Sequence, residues 1–223
     1  MLSWSNKAPA DRPSYYAWHN QHMDGHIRLP GFQRGRRYIA TGPGDRDFLV
    51  FYEVDDLDVL SSKAYTDRVN NPNALTKNTT KLIHNSVRSL AQVRLSLGVG
   101  QGGYLLTLRF DVQAGRTEEM ERYLRDDALP GLATNLELVG LHLCVTDKKA
   151  SGVISVERSN RVTEVPNWVV ILESTTPEAL TQAAGILSEQ DLTRHGGAGP
   201  FAYGFYQQQL TIAKMPSWHP RTA

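Results

Sequence analysis

The order of elements in this chain is complete by Leu97 and starts again beyond the junction Gly98-Val-Gly-Gln-Gly-Gly103. In the first half, residues 1–5 read as the end of a short strand. Residues 11–14 read as a helix start, with Asp11 or Ser14 placed to cap and Pro13 tolerated in the first turn. That helix should stop near Gly25, because Pro30-Gly31 forces a turn. Residues 32–40 and 47–54 are rich in strand formers and are joined through Thr41-Gly-Pro-Gly44, so they read as a hairpin. Leu57, Leu60, Ala64 and Tyr65 recur at helical spacing up to Asn70-Asn-Pro72. Residues 86–97 then alternate as a strand with one slip in phase.

The second half repeats that order. Residues 104–112 form a strand with Leu106, Leu108 and Phe110 on one face. Thr117-Glu-Glu-Met-Glu opens a helix bearing Met120, Tyr123, Leu124 and Ala128, which Pro130-Gly131 should end. Residues 136–146 and 168–173 are strands, Thr176-Pro-Glu caps a helix with Leu180, Ala183, Ala184 and Leu187 inward, and 203–213 is the closing strand. Each half is therefore βαββαβ. Tyr15 falls on Met120, Trp18 on Tyr123 and His19 on Leu124, while Phe48-Leu-Val-Phe-Tyr-Glu53 matches Trp168-Val-Val-Ile-Leu-Glu173. Identity is weak, but order, length and apolar phase agree, as a structural duplication requires. The chain divides on this reading into domains 1–98 and 103–215, with 147–166 as an insertion. Its segments Val153-Ile-Ser-Val156 and Arg161-Val-Thr163 suit a β-arm that closes over a pocket or grips a second subunit.

The first helix is chemically odd. In helical geometry Tyr15, Trp18, His19, His22 and His26 share an arc of roughly 100°, while Asn20, Gln21 and Asp24 point away. Three imidazoles thus lie on the face expected to be buried, where groups in need of hydrogen-bond partners are normally excluded. Such a face lines a pocket or carries a polar network. The matching face of the second half reads Met120, Tyr123, Leu124, with Asp127 or Ala128 where His22 stands. The fold does not require histidines there, and that contrast singles out His22 and His19 as the catalytic candidates. In an apolar pocket, burial lowers an imidazole pKa and keeps a neutral base available near pH 7. The plainer alternative is a histidine hydrogen-bonded inside a helix–sheet core.

Composition excludes several function classes. A net charge of +1 gives no electrostatic case for nucleic acid or an anionic membrane. No apolar run approaches the roughly 18 residues of a membrane helix, and Met1-Leu-Ser-Trp-Ser-Asn-Lys-Ala-Pro9 lacks the apolar segment of a signal peptide. The expectation is a soluble cytoplasmic protein with no nucleic-acid or membrane partner. Cys144 is the sole cysteine, which excludes an intrachain disulfide and a cysteine-rich zinc site.

A helix carrying Trp18-His19-x-x-His22, followed by Leu29-Pro-Gly-Phe32-Gln-Arg-Gly-Arg-Arg-Tyr38 inside a βαββαβ unit, resembles the dimeric α+β barrel superfamily. This ferredoxin-like group includes EthD-like proteins, antibiotic-biosynthesis monooxygenases and muconolactone-isomerase-like enzymes. The resemblance implies an α+β fold of two tandem ferredoxin-like repeats closing a barrel within one chain, with further homo-oligomerisation. It implies a ligand between sheet and helices, with His22 at the position of the helix-1 histidine that faces it. It also implies a cofactor-independent enzyme working on a small, largely apolar aromatic or polyketide-like molecule, as an isomerase, cyclase, lyase or monooxygenase. The alternative it carries is a haem- or metal-binding protein, or a non-catalytic ligand-binding module, using the same pocket.

The remaining candidates are substrate-binding. By the period of two, Arg34 and Arg36 share a face with Phe32 and Tyr38 while Arg37 points to the other. A pocket-facing arginine would hold a carboxylate bidentately; the alternative is a salt bridge on the sheet. Tyr15, Trp18, His26, Tyr38 and Tyr52 would line an aromatic-friendly cavity. His19–His22 and His22–His26 are spaced so that two imidazoles reach one ion, but no His-Glu-x-x-His motif supplies a third ligand. Glu53, His84, His142 and His195 are the other candidates for an ion or a haem, and no cofactor is the expectation. Arg194-His-Gly-Gly-Ala-Gly-Pro200 lacks the Gly-Lys-Ser/Thr ending of a phosphate loop and reads as a flexible turn.

Overall fold

The strands β1 (Leu2–Asn6), β2 (Phe32–Ala40), β3 (Phe48–Val54), β4 (His84–Ser89), β5 (Ala91–Leu97), β6 (Tyr104–Val112), β7 (Leu138–Thr146), β8 (Thr163–Glu164), β9 (Trp168–Ser174) and β10 (Gly197–Ala213) form one sheet in the order β5-β7-β9-β6-β10-β2-β3-β1-β4-β8. This computed structural model describes residues 1–42 and 45–214; Pro43 and Gly44 of the expected hairpin turn lie outside the described residues. Within the order, β2-β3-β1-β4 and β7-β9-β6-β10 run in the same sense through the two halves.

Three strands cross between the halves, the short β8 of the insertion pairing in parallel with β4. Only Leu90 separates β4 from β5, yet they stand near opposite ends of the strand order, so the sheet curls until its ends meet. At the junction the Ser89 and Thr146 hydroxyls hydrogen-bond at 2.7 Å and the Leu90 carbonyl accepts from the Asp147 N–H at 2.8 Å. The single strand expected over 86–97 is therefore two: the slip in phase is a break at Leu90, before which the chain pairs with β1 and after which with β7. β10 bridges on the opposite side, pairing with β6 through 197–207 and with β2 through 206–213. It begins at Gly197, so half of the glycine-rich segment read as a flexible turn is strand.

Alternation splits the apolar residues between two faces. Leu105, Val169 and Ile171 point inward with Trp4, Tyr38 and Tyr206, whereas Leu106, Leu108, Val170 and Leu172 point outward under helices. The first half is covered by α1 (Arg12–Ile27), α2 (Lys63–Asn70) and α3 (Ala74–Thr79); the second by α4 (Thr117–Arg122), α5 (Leu129–Leu132), α7 (Pro177–Ile186) and α8 (Glu189–Arg194), with α6 (Lys148–Gly152) in the insertion. Helix α1 runs past Gly25, and Asp11 is its N-cap residue without a capping side-chain hydrogen bond. The second-half helix continues through a π-helical stretch, Tyr123–Ala128, into α5 and ends at Leu132, past Pro130. The insertion is not a β-arm: it holds α6, a 3-10 turn at Val156–Arg158 and the two-residue β8, with Val153, Ile154 and Val156 exposed.

Helix and sheet approach closely at Gly35. A Cβ there would lie 3.0 Å from Met23 Cγ and 3.0 Å from Tyr52 Cε1, both on buried side chains that would have to shift. Gly35→Ala should therefore lower stability by about 1–3 kcal/mol through overpacking, read as a lower urea midpoint at unchanged slope.

Candidate functional site

Between α1 and the outer face of the first-half strands lies a cavity of about 90 Å³. Tyr15, Trp18, His19, His22 and His26 of α1 line it together with Tyr52 of β3, so the arc read from the helix becomes one wall. Tyr65, Arg88 and the insertion residues Ser155, Glu157, Arg158 and Arg161 complete it. The insertion thus folds over the first-half pocket. His22 and Glu157 also line an outer groove of about 410 Å³ with Asp67, Arg68, Asn71, Asn73 and Thr76, and so stand where the two spaces meet.

His22 is held from three sides. Its ring stacks on Trp18 at 4.4 Å between centroids and meets His26 edge-on at 4.5 Å. Its Nε2 is 3.3 Å from Glu157 Oε1, and the two side chains are only 10% and 12% exposed. A carboxylate accepts, so the Nε2 that faces Glu157 carries a hydrogen. Burial works to raise the Glu157 pKa, but the hydrogen bond and charge of His22 outweigh it and hold the carboxyl below its usual range. The backbone carbonyl of His22 accepts from His26 Nδ1 at 3.0 Å and from Arg68 at 3.2 Å, which pins the helix at this turn.

The three histidines are not equivalent. Arg37 Nη1 donates to His19 Nδ1 at 3.2 Å, and a guanidinium has no acceptor, so the His19 proton sits on Nε2. Burial, followed by the charges of His22 and Arg37, pulls the His19 pKa well below its ordinary value. His19 is thereby a neutral hydrogen-bond donor rather than a second base. His26 is pulled down to about 3, chiefly by burial, and is neutral as well.

No family model and no curated protein sequence matches the chain. Solved structures do. An anthrone oxidase-like protein superposes over 95% of this chain and 91% of its own at a TM-score of 0.65 and 12% identity. The chain shares its fold with that protein. A candidate monooxygenase from Lactobacillus acidophilus NCFM covers 95% and 94% of the two chains at a TM-score of 0.57 and 9% identity. A mutant chlorite dismutase from Candidatus Nitrospira defluvii in complex with cyanide covers 92% and 89% at 0.53 and 9%. At these identities the likeness is one of fold.

The barrel wall separates the other predicted residues from the histidines. Register shifts between Phe32 and Arg34 against β3, so Phe32 faces α1, 5.7 Å from the His26 ring, while Arg34, Arg36 and Tyr38 face the barrel interior. The shared face expected for these four residues therefore breaks at Gln33, and Arg37 is the arginine that reaches the histidines. Arg34 and Arg36 line a second cavity of about 370 Å³ at the barrel mouth, with Glu53, Ser96, His142 and Glu173. Arg36, 1% exposed, donates to Glu173 at 2.7 and 3.0 Å and lies 2.9 Å from Glu53. Glu53 is thus committed to arginines inside the barrel rather than to an ion beside the histidines. His142 shares a 2.8 Å hydrogen bond with Ser96 in the same cavity, His195 stacks on Tyr123 at 3.8 Å in the second half, and His84 is exposed. Among the described residues no three His, Cys, Asp or Glu side chains form a metal-binding group. No helix among them is long and apolar enough to cross a membrane.

Sequence reasoning missed Glu157, Arg158, Arg161 and Arg88. The one available signal was that 147–166 is the insertion without a counterpart in the other half.

Proposed function

We propose that the chain is a cofactor-independent enzyme that removes a proton from carbon in a small aromatic or polyketide-like molecule, with His22 as base and Glu157 as its positioning partner. The observation that carries this reading is the 3.3 Å His22–Glu157 pair at the junction of an aromatic-lined cavity and a polar groove. The reacting end of the substrate enters between Tyr15, Trp18 and Tyr52, and the remainder lies in the groove. A cavity of 90 Å³ takes only that end; a buried cavity of about 150 Å³ is known to take one benzene. The proton passes to His22 Nδ1, and the electron pair of the C–H bond stays on the substrate as a conjugated enolate. Reprotonation at another carbon gives isomerisation. Transfer of the electrons to dioxygen converts a CH₂ group and O₂ to a carbonyl and water, and the names of the anthrone oxidase-like and monooxygenase neighbours favour this branch.

The haem alternative fits the side chains poorly. The first-half cavity is well below the roughly 300 Å³ of the smallest drug-sized pockets, and a macrocycle exceeds that. The matching face of the second half is filled by Met120, Leu124, Ala128, Leu129 and Leu132. The reading extends to tandem ferredoxin-like repeats of which the first keeps the site, in a cytoplasmic homo-oligomer with neither nucleic acid nor membrane as partner.

Anthrone is the probe that follows from the neighbour's name. The protein should accelerate deuterium exchange at its methylene group without oxygen, and in air should consume one O₂ per anthraquinone formed. Absence of exchange across a panel of aromatic carbon acids would sink the reading. A Soret band in the purified protein would establish the haem alternative.

A further inference from the structure

The inner cavity carries more positive than negative charge. Arg88, Arg158 and Arg161 line it, and Glu157 is the one carboxylate among its lining residues, already engaged by His22. Two more cations stand behind the aromatic wall: Lys7 Nζ lies 4.1 Å from the Tyr15 ring centroid, and Arg37 donates to His19. Among the described residues, none of these five cations forms a salt bridge. Buried charge is normally paired, because an uncompensated ion loses its hydration for nothing. The pKa directions follow chiefly from burial: it pulls Lys7 down to about 7, which leaves Lys7 largely neutral at pH 8, with Arg88 it pulls Arg158 down to about 10, and it lowers Arg161.

The cavity also holds donors with nothing to bond. Arg88 Nη1, Arg161 Nε and the Tyr52 hydroxyl are buried and have no hydrogen-bond partner among the described residues. Arg88 and Tyr52 are each only 4% exposed. Three unsatisfied donors on residues that line one cavity, two of them on guanidinium groups, match an oxyanion better than any neutral group.

We infer that the inner cavity is an oxyanion site, and that its ligand is an aromatic acid, either a carboxylate or an acidic phenol or enol, whose oxygen meets Arg88, Arg161 and Tyr52. This rests on reading the cavity as the substrate site, and it names the substrate class. It also gives the enolate formed by proton loss to His22 a place for its charge, since donors aimed at developing charge in a dry site lower the barrier.

Isothermal calorimetry at pH 8 with two matched pairs tests it: benzoate against benzamide, and 4-nitrophenolate against 4-nitroanisole. The anion of at least one pair should bind about tenfold or more tighter than its neutral partner, as loss of charged hydrogen bonds implies. A preference confined to one pair identifies the ligand as carboxylate or as phenol and enol. Arg161→Gln, on the half-buried insertion, should remove that preference, and Arg88→Met should do the same if it folds. His22→Gln should leave the preference intact, so loss of proton abstraction and loss of anion binding are read separately. Equal affinity for charged and neutral partners, no binding of any of the four, or an unchanged preference in Arg161→Gln would overturn the inference.

Discussion

His22→Gln should lower the rate of proton abstraction by about 10²–10⁴-fold, the usual contribution of a positioned acid or base, with a stability change below about 1 kcal/mol. The two effects separate because the backbone keeps its hydrogen bonds and a glutamine side chain can still lie against Trp18 and donate its amide N–H to Glu157. The His22 carbonyl accepts from His26 and Arg68, and glutamine keeps it. What glutamine lacks is a basic ring nitrogen with its partner nitrogen fixed on Glu157 at 3.3 Å. Glu157→Gln should slow the reaction by at least about tenfold, because the imidazolium formed on proton transfer loses its counter-charge. The double variant should be no slower than His22→Gln, as expected of residues acting as a unit. The measurement is deuterium exchange into anthrone alongside urea unfolding. Full activity in His22→Gln, or a large stability loss with ligand binding retained, would make His22 a structural histidine.

Arg36→Met should cost about 3–5 kcal/mol of unfolding free energy, the penalty for stranding one partner of a buried ion pair. Arg36 is 1% exposed and holds Glu173 with two hydrogen bonds inside the barrel. Glu53 is not stranded, since Arg34 still donates to it at 2.9 and 2.5 Å. Glu173 is, with only the Gly102 N–H at 3.3 Å and His142 at 3.7 Å left. Replacing both partners, as Arg36→Met with Glu173→Leu, should recover most of the loss. The pair also sets an acid dependence. Burial works to raise the Glu173 pKa, but the neighbouring His142 and the hydrogen bonds from Arg36 win and depress it below 4.5. A depressed carboxylate contributes stability that is present above its unfolded pKa and is lost as pH falls through the folded one. The wild-type protein should therefore lose stability below about pH 4.5, and Arg36→Met should show a shallower loss over that range. Equal slopes in chemical unfolding at several pH values would remove the pair from the acid response.

Local patterns in the sequence were reliable where one element decided the outcome. The His22 arc is a property of a single helix, and β2 appears with the bounds its composition implies. Errors fall where distant partners decide. Leu90 divides one run of alternating residues between β1 and β7, because the chain must leave one half of the sheet and join the other. The irregularity at Gln33 turns Phe32 and Arg36 to opposite faces, which period-two counting cannot register. Gly197 to Pro200 are poor strand formers held in β10, whose Gly197 and Ala198 pair with β6. Glu157 escaped for the same reason: its partner His22 lies in the other half, and an insertion's landing place leaves no trace in spacing.

The bridging strand β10 has a consequence for synthesis. On the ribosome β2 is complete long before residues 206–213, its neighbour, have been made. Until then β2 is an open edge, the part of a nascent sheet most prone to pair with another chain. It meets that interval carrying Arg34, Arg36 and Arg37 in close succession, and charge on an unpaired edge resists stacking against a neighbour. The arginines that later anchor the barrel and brace His19 thus guard the unfinished chain first.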